Sequence, residues 1–490
     1  MEITIGKFTL ETLTSGMYER PKDIYREYIQ NAVDSIDSAI SQNIVKAEKA
    51  RIELGIDKES RTIRVSDNGT GIGVDYAGKY LLNIGHSPKR FTNARGFRGI
   101  GRLAGLAYCH TLIFETSAFG ENKRTIIEFD AQTLCQRMLD EDVDVDLLSL
   151  ITDVVKIKVE QEARTKHYFN VVMTGVEDTD GILDAGMVQE YLEQVAPVDF
   201  DYDFSWGKII KSKLRVYNYS SSIYNIFIGN GKTSIPIRKA YRDTVISDRL
   251  RKLEDSISDI EIKVFSYEDE TVAYLWYTRT SFYGTLQNDA IKGIRIRKGN
   301  ILIGDKTTLN HIFKDERFNG WLFGELHILS DRIIPNARRD EMEKNAAYAA
   351  MIEELRTWAD GISSEIRKIS NQRSSDKKAQ RIIEIAQSET TPDIESSTTV
   401  VMPEAILINK AETEQVNHTD LVAALDILIG AQQSCTKYKA LNLQSNITIE
   451  QKRVLERVFD ILCDDERHDS NILVTKIIRE FVPKSSVVSR

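Results

Sequence analysis

The chain has 490 residues, 41% apolar and 28% charged, with net charge −9 and a sequence pI near 5.5. That length suits about three domains with real cores, and the acidic balance excludes a global basic field that would draw the protein to nucleic acid or anionic membrane. The four cysteines (Cys109, Cys135, Cys435, Cys463) form no CxxC pair, which argues against zinc and for a reducing compartment.

The opening "MEITIGKFTLETL" lacks a basic n-region followed by an apolar run, and no stretch of about 18 apolar residues follows anywhere. A cytoplasmic protein with no membrane partner is expected. In chain order, residues 21–42 read as the first helix. At about 100° per residue, Tyr28, Ile29, Ala32, Val33 and Ile36 gather on one side, and Glu27, Asn31 and Asp34 share the other. Two short strands follow, "ARIELGI" and "RTIRVSD", the second ending in "DNGTGIG". A short helix over 75–82 leads into the glycine- and cation-rich "NIGHSPKRFTNARGFRGIGRLAGLAYC", helical at its tail. Strands at 111–116, 124–130, 154–160 and 167–174 alternate with helical pieces, which suggests an α+β sandwich with helices on one face of a sheet.

A second region begins near 200, with strand-like "KLRVYNY", "NIFIGNG", "DIEIKVFSY", "TVAYLWYT" and "GIRIRKGNILIG", and it closes with "GELHILSDRIIPNARRDEMEKN". Residues 341–385 are mostly helix formers. The Ser-, Thr- and Pro-rich "QSETTPDIESSTTVVMP" reads as a linker. Helical spacing returns in "DLVAALDILIGAQQ" and "QKRVLERVFDILC".

Each motif has a plain alternative. A polar helix stripe is usually solvated surface, and Asp-Asn-Gly is good hairpin chemistry. A lone glycine-rich loop is often a surface loop. Their order and spacing together carry more. "EYIQNAVDSID", "DNGTGIG" and "GFRGIGRLAG" resemble the N-box, the DxGxG box and the glycine-rich lid box of the GHKL ATPase superfamily, which groups gyrase, the ninety-kilodalton heat-shock chaperones, histidine kinases and MutL.

The resemblance implies a Bergerat-type ATP-binding α/β sandwich over residues 1–200, binding ATP and Mg2+. It makes Glu27 the general base, Asn31 the Mg2+ ligand, Asp34 a support for the adenine end and Asp67 the acceptor for the adenine amino group. Gly69, Gly71 and Ile72 would bound the base. Gly96, Phe97, Gly99, Ile100 and Gly101 would form the phosphate side of a lid. The family's strand threonine has no clear counterpart; "TKHYFNVVMTG" is the nearest run.

Glu27 favours hydrolysis over histidine-kinase chemistry. "IIPNARRDEME" is similar to the heat-shock chaperone segment that sends an arginine to the γ-phosphate; Asn336 and Asp340 fall on its Asn and acidic residue and Arg339 on the arginine, with Arg338 as rival for the role. The implied architecture is an α/β middle domain (201–345), a helical extension (346–386), a linker (387–414) and a helical dimerisation or partner module (415–490). The leading expectation is an ATP-driven machine close to the heat-shock branch. It would be homodimeric, with a client or dedicated partner protein. A MutL- or MORC-like nucleic-acid clamp ranks below it, favoured by "GFRG" and by Lys292, Arg295, Arg297 and Lys298 in "KGIRIRKGN", whose plainer reading is a strand with a solvated cationic face. A switch in a prokaryotic defence or stress complex is a third reading.

Overall fold

Alternation of apolar and polar residues builds the first sheet. The structure, a computed structural model, describes residues 20–83, 101–139, 147–229, 233–248 and 252–388. Gly96, Phe97, Gly99, Ile100, the linker beyond Ser388 and both C-terminal helical runs lie outside the described residues; the linker's first two residues, Gln387 and Ser388, end the long helix instead. The chain divides into two compact units, residues 1–390 and 391–490; the described residues all belong to the first.

Eight strands form the first sheet: β1 (Ile52–Asp57), β2 (Thr62–Asp67), β3 (Thr111–Ser117), β4 (Lys123–Asp130), β5 (Val155–Gln161), β6 (Tyr168–Thr174), β7 (Ile226–Gly229) and β8 (Ser234–Pro236). Their spatial order is β5-β4-β3-β6-β2-β1-β7-β8, antiparallel except where β1 meets β7. Ile52, Leu54, Ile63, Val65, Leu112, Phe114, Ile127 and Phe129 recur every second residue on one buried face. That face carries helix α1 (Asp23–Ser41), a 3-10 helix at Gly101–Ala107, α3 (Ala131–Leu139) and α5 (Ala185–Val195). Two further helices, α2 (Val74–Leu82) and α4 (Leu147–Val154), complete this α+β sandwich. The "NIFIGNG" strand thus joins the first sheet, not the second, because Ile226 and Ile228 enter the first core.

"KLRVYNY" is not a strand. Residues Trp206–Val216 form helix α6, with Gly207, Ile210 and Leu214 on the buried side and Val216 exposed. The apolar pair spaced by four, beginning upstream of the quoted run, outweighs its short alternation.

The second sheet runs β11-β12-β15-β13-β14, made of β11 (Asp259–Tyr267), β12 (Glu270–Arg279), β13 (Gly293–Lys298), β14 (Ile301–Ile303) and β15 (Phe323–Ile328); β9 (Thr244–Ser247) and β10 (Leu253–Ser256) pair separately. The long helix α7 (Ala346–Ser388) packs its first turns on this sheet through Met351, Leu355, Trp358, Ile362 and Ile366, spaced as a helical stripe.

The "GIRIRK" cations correct both sequence readings. Arg295 and Arg297 are each 1% exposed, so they form neither a solvated face nor a phosphate contact. The two sit beside Glu325 and His327 in the β13–β15 register. Glu325 is fully buried and accepts hydrogen bonds from Lys239 (2.7 Å), Arg297 (2.5 Å), Tyr241 (3.1 Å), Trp276 (3.3 Å) and His327 (2.9 Å). Lys292 pairs with Asp289 and Lys298 with Asp331. A buried carboxylate persists only with such partners.

Burial would raise the Glu325 pKa, but Arg297 and Lys239 hold it well below the usual carboxylate range. Burial also pushes His327 down to about 4 and Lys239 down to about 7. The unfolded chain takes up a proton at His327 below its ordinary pKa of 6.5, a proton that the folded chain refuses until about 4. Stability therefore falls as pH drops through that window, with a slope approaching about 1.4 kcal/mol per pH unit. Denaturant titrations between pH 6.5 and 4.5 are expected to show this decline, and His327→Gln should be weaker at pH 7 but less pH-dependent.

Candidate nucleotide site

Helix α1 is buried on more than its apolar side. Ile24, Tyr25, Tyr28, Ile29, Val33 and Ile36 enter the core, while Glu27 and Asp34 are each only 8% exposed and Asn31 is half-buried. The polar stripe is therefore not a solvated surface. Gln30, within about 60° of Glu27 on the same stripe, is buried with neither amide atom hydrogen-bonded. An orphaned amide of that kind costs about 1–3 kcal/mol unless a bound group satisfies it.

The "DNGTGIG" segment runs from strand to helix, not into a hairpin: β2 ends at Asp67 and α2 starts at Val74. The Gly69 N–H donates to Asp67 Oδ1 (2.9 Å) and the Thr70 N–H to the Ser35 carbonyl of α1 (3.3 Å). Asn68 spans the backbone of Lys49 and Arg51. At Gly71, φ is +64°, and a Cβ there would lie 1.9 Å from the Ser117 carbonyl oxygen, so a side chain is excluded twice over. The Ile72 N–H donates to Thr116 Oγ1 (2.8 Å), which donates to the Tyr168 carbonyl (3.1 Å).

Thr116 was missed in the sequence. The threonine hydrogen-bonded to this turn comes from β3, and the residue of β6 opposite Asp67 is Phe169. Its signal was available: in "TLIFETS" the buried face reads Leu112, Phe114, Thr116, and a hydroxyl ending an apolar face needs a polar partner.

The other end of the stripe meets two more elements. A Cβ at Gly101 would stand 2.2 Å from Glu27 Oε2, so that glycine lets the chain pass against the carboxylate. Arg339 Nε lies 3.5 Å from Glu27 Oε1, and Arg26 Nε is equally close. Arg339 is itself mostly buried and has φ +58°. It belongs to a loop closed by bonds from the Asn336 N–H to the Glu341 carbonyl and from the Arg339 N–H to the Asn336 carbonyl, with Asn336 Nδ2 donating to Asp340. The Gly304 N–H holds the Arg339 carbonyl (2.8 Å) and Arg26 holds that of Arg338 (3.2 Å). "IIPNARRDEME" is therefore not a helix start, and of its two arginines Arg339 is mostly buried while Arg338 is exposed.

The geometry brings Glu27, Gly101 and Arg339 together at one end of α1. Asp67, Gly69 and Ser35 meet about two turns further on, with Asn31 between them. Residues 24–162 match the family described as histidine kinase-, DNA gyrase B-, and HSP90-like ATPase. Over that span the chain is similar to GHKL-type ATPases, with weak similarity to HtpG chaperones.

Similarity to chaperone protein HtpG of Fusobacterium nucleatum is 26% identity over 135 residues, covering 24% of this chain and 22% of that one. HtpG of Acinetobacter baylyi shares 35% over 84 residues and HtpG of Colwellia psychrerythraea 31% over 84 residues, each covering 16% of this chain and 13% of the relative. The chain thus spans less than a quarter of the length of these relatives.

The matched family takes ATP, so the donors on α1 bear on it. Asn31 offers one hard oxygen, and the described residues hold no cluster of three or more His, Cys, Asp or Glu able to bind a metal. A Mg2+ ion here would complete its shell with phosphate oxygens and water. No helix among the described residues is long and apolar enough to cross a membrane.

Gly71→Ala should destabilise the fold by well over about 1 kcal/mol, from the left-handed backbone alone. Thr116→Val, nearly isosteric, should cost about 1–3 kcal/mol by stranding the Ile72 N–H. Chemical denaturation of both variants measures this.

Proposed function

We infer that the protein is an ATP-hydrolysing conformational machine resembling the ninety-kilodalton heat-shock chaperones. The single observation that carries this is the meeting of Glu27 and Arg339 at ion-pair distance, against the Gly101 backbone, on the helix that also presents Asn31. Glu27 would orient and deprotonate the attacking water. Asn31 would hold Mg2+, which supplies charge neutralisation between phosphate oxygens. Asp67, fixed by the Gly69 N–H, would accept the adenine amino group, with Asp34 behind it. Arg339 would stabilise charge on the transferred phosphoryl oxygens.

Arg339 reaches Glu27 from a loop beyond the first sheet, so the proposed assignment is an ATP domain over residues 1–200, with β7 and β8 added to its sheet, and a middle domain over the rest of 201–345 that completes its site. A ligand drives closure only if it binds closed better than open, and contacts made by Arg339 would provide that difference. Residues 346–386 would extend the middle domain, with 415–490 serving dimerisation or a partner protein. Homodimerisation, a protein client and a cytoplasmic location belong to the same reading. The nucleic-acid clamp loses the support of "KGIRIRKGN", because Arg295 and Arg297 are buried; its other support, "GFRG", lies outside the described residues.

Isothermal titration with ATP and a phosphate-release assay test this. Asp67→Asn is expected to abolish binding. Glu27→Ala should bind ATP but hydrolyse it at least about 100-fold more slowly. Gly101→Ala should cut turnover and lower stability, since its methyl displaces the buried Glu27 carboxylate from Arg26 and Arg339. Unimpaired hydrolysis by Glu27→Ala would remove the assignment of the base.

A further inference from the structure

Asp23, one turn before Glu27, is only 6% exposed and sits among three donors. Its Oδ1 accepts from the Tyr191 hydroxyl at 2.8 Å, and lies 3.3 Å from Arg20 and 3.4 Å from Arg26. Arg26, 2% exposed, carries the contact on to Glu27. Tyr191 stands on α5, the helix whose last turn is gripped by the second sheet: Arg297 donates to the Gln194 carbonyl (2.7 Å) and Arg295 to the Gln194 side-chain oxygen (3.2 Å). Arg297 is in turn fixed by the buried Glu325. Burial, reinforced by the Asp23 charge, raises the Tyr191 pKa well above its usual value, so the hydroxyl remains a donor throughout the physiological range.

We propose that Tyr191 and Asp23 are positioning residues for Glu27, acting through Arg26 and relaying the seating of α5 on the second sheet to the catalytic helix. The inference rests on the ATPase reading of Glu27. A buried arginine shared between two carboxylates takes up the orientation that both permit. Fixing Asp23 from the α5 side leaves Arg26 one direction in which to present its Nε to Glu27. Loosening Asp23 lets the guanidinium swing, and the base loses its aim without losing its chemistry. Neither residue lies on the "DNGTGIG" turn, so ATP affinity is not their province.

The test uses the full chain, with phosphate release for turnover, titration with a non-hydrolysable ATP analogue for affinity, and thermal melting for stability. Tyr191→Phe removes one hydroxyl and keeps the ring. It is expected to lower kcat about 5- to 20-fold with analogue affinity unchanged within twofold. Asp23→Asn keeps an acceptor for Tyr191 but drops the charge that holds Arg26, and should lower kcat at least as much. Combined with Asp23→Ala, Tyr191→Phe should add almost nothing, because both act along one path.

A Tyr191→Phe variant that melts earlier but turns over normally below its transition overturns the proposal, as do losses that multiply in the double variant. Absence of hydrolysis by the wild-type chain overturns the ATPase reading and this inference together. Wild-type hydrolysis with an unaffected Tyr191→Phe overturns this inference alone.

Discussion

Glu27 is a carboxylate withdrawn from water at one end of a buried helix, and a charge in that position is tolerated only with cations at hand. Arg26 supplies one from the next residue, and Arg339 supplies another from more than three hundred residues away. The second contact explains much of the architecture. A guanidinium from the "NARRD" loop reaches α1 only if the second sheet is seated against the first. The chain accordingly invests its interior polar groups in that seating: Arg295 and Arg297 on Gln194, Glu325 on Arg297, and Arg26 on the Arg338 carbonyl.

This is costly construction. Burying Lys239, Arg297 and Glu325 together sacrifices hydration that an apolar core would never have needed, and such clusters seldom add net stability. What they add is directionality. An apolar contact between α5 and β13 would accept small slips, whereas a guanidinium shared by Glu325 and the Gln194 carbonyl accepts one geometry. The same logic applies to the "DNGTGIG" turn, where Gly71 allows the backbone to lie on Ser117 and Thr116 fixes the Ile72 N–H. Rigid elements bracket α1 at both ends, and the residues between them are the ones whose chemistry depends on placement.

Much of this was legible in the sequence because it is local. The period of 3.6 in "REYIQNAVDSID" and the alternation in "TIRVSD" give the helix and the strand, and the glycines of "DNGTGIG" mark where a strand must turn without side chains. Long-range facts left weaker traces. "KLRVYNY" looked like a strand because Leu214 and Val216 alternate, yet Ile210 and Leu214, four apart, decide the helix. The cations of "GIRIRK" looked exposed because arginine usually is; their burial depends on Glu325, about thirty residues away, which no local window contains. Thr116 was overlooked because its partner, the Ile72 N–H, is backbone, and backbone partners leave no mark on composition.

The same blind spot bears on how the two sheets communicate. Three residues placed against Glu27 each take a support from far along the chain: Arg339 from the Gly304 N–H, Arg26 from the Arg338 carbonyl, Gly101 from a 3-10 turn whose Gly105 N–H is held by the Tyr28 hydroxyl. A group supported from three directions has few alternative arrangements, and coupling between distant sites requires an element with discrete states rather than a soft one. The Asp23–Arg26–Glu27 turn meets that requirement. Its two ion pairs, at 3.4 and 3.5 Å, share the Arg26 guanidinium, and the supports on either side belong to different sheets. Displacing the second sheet would therefore withdraw Arg339 and release Gln194 in one movement, acting on the carboxylate from both ends of the relay at once.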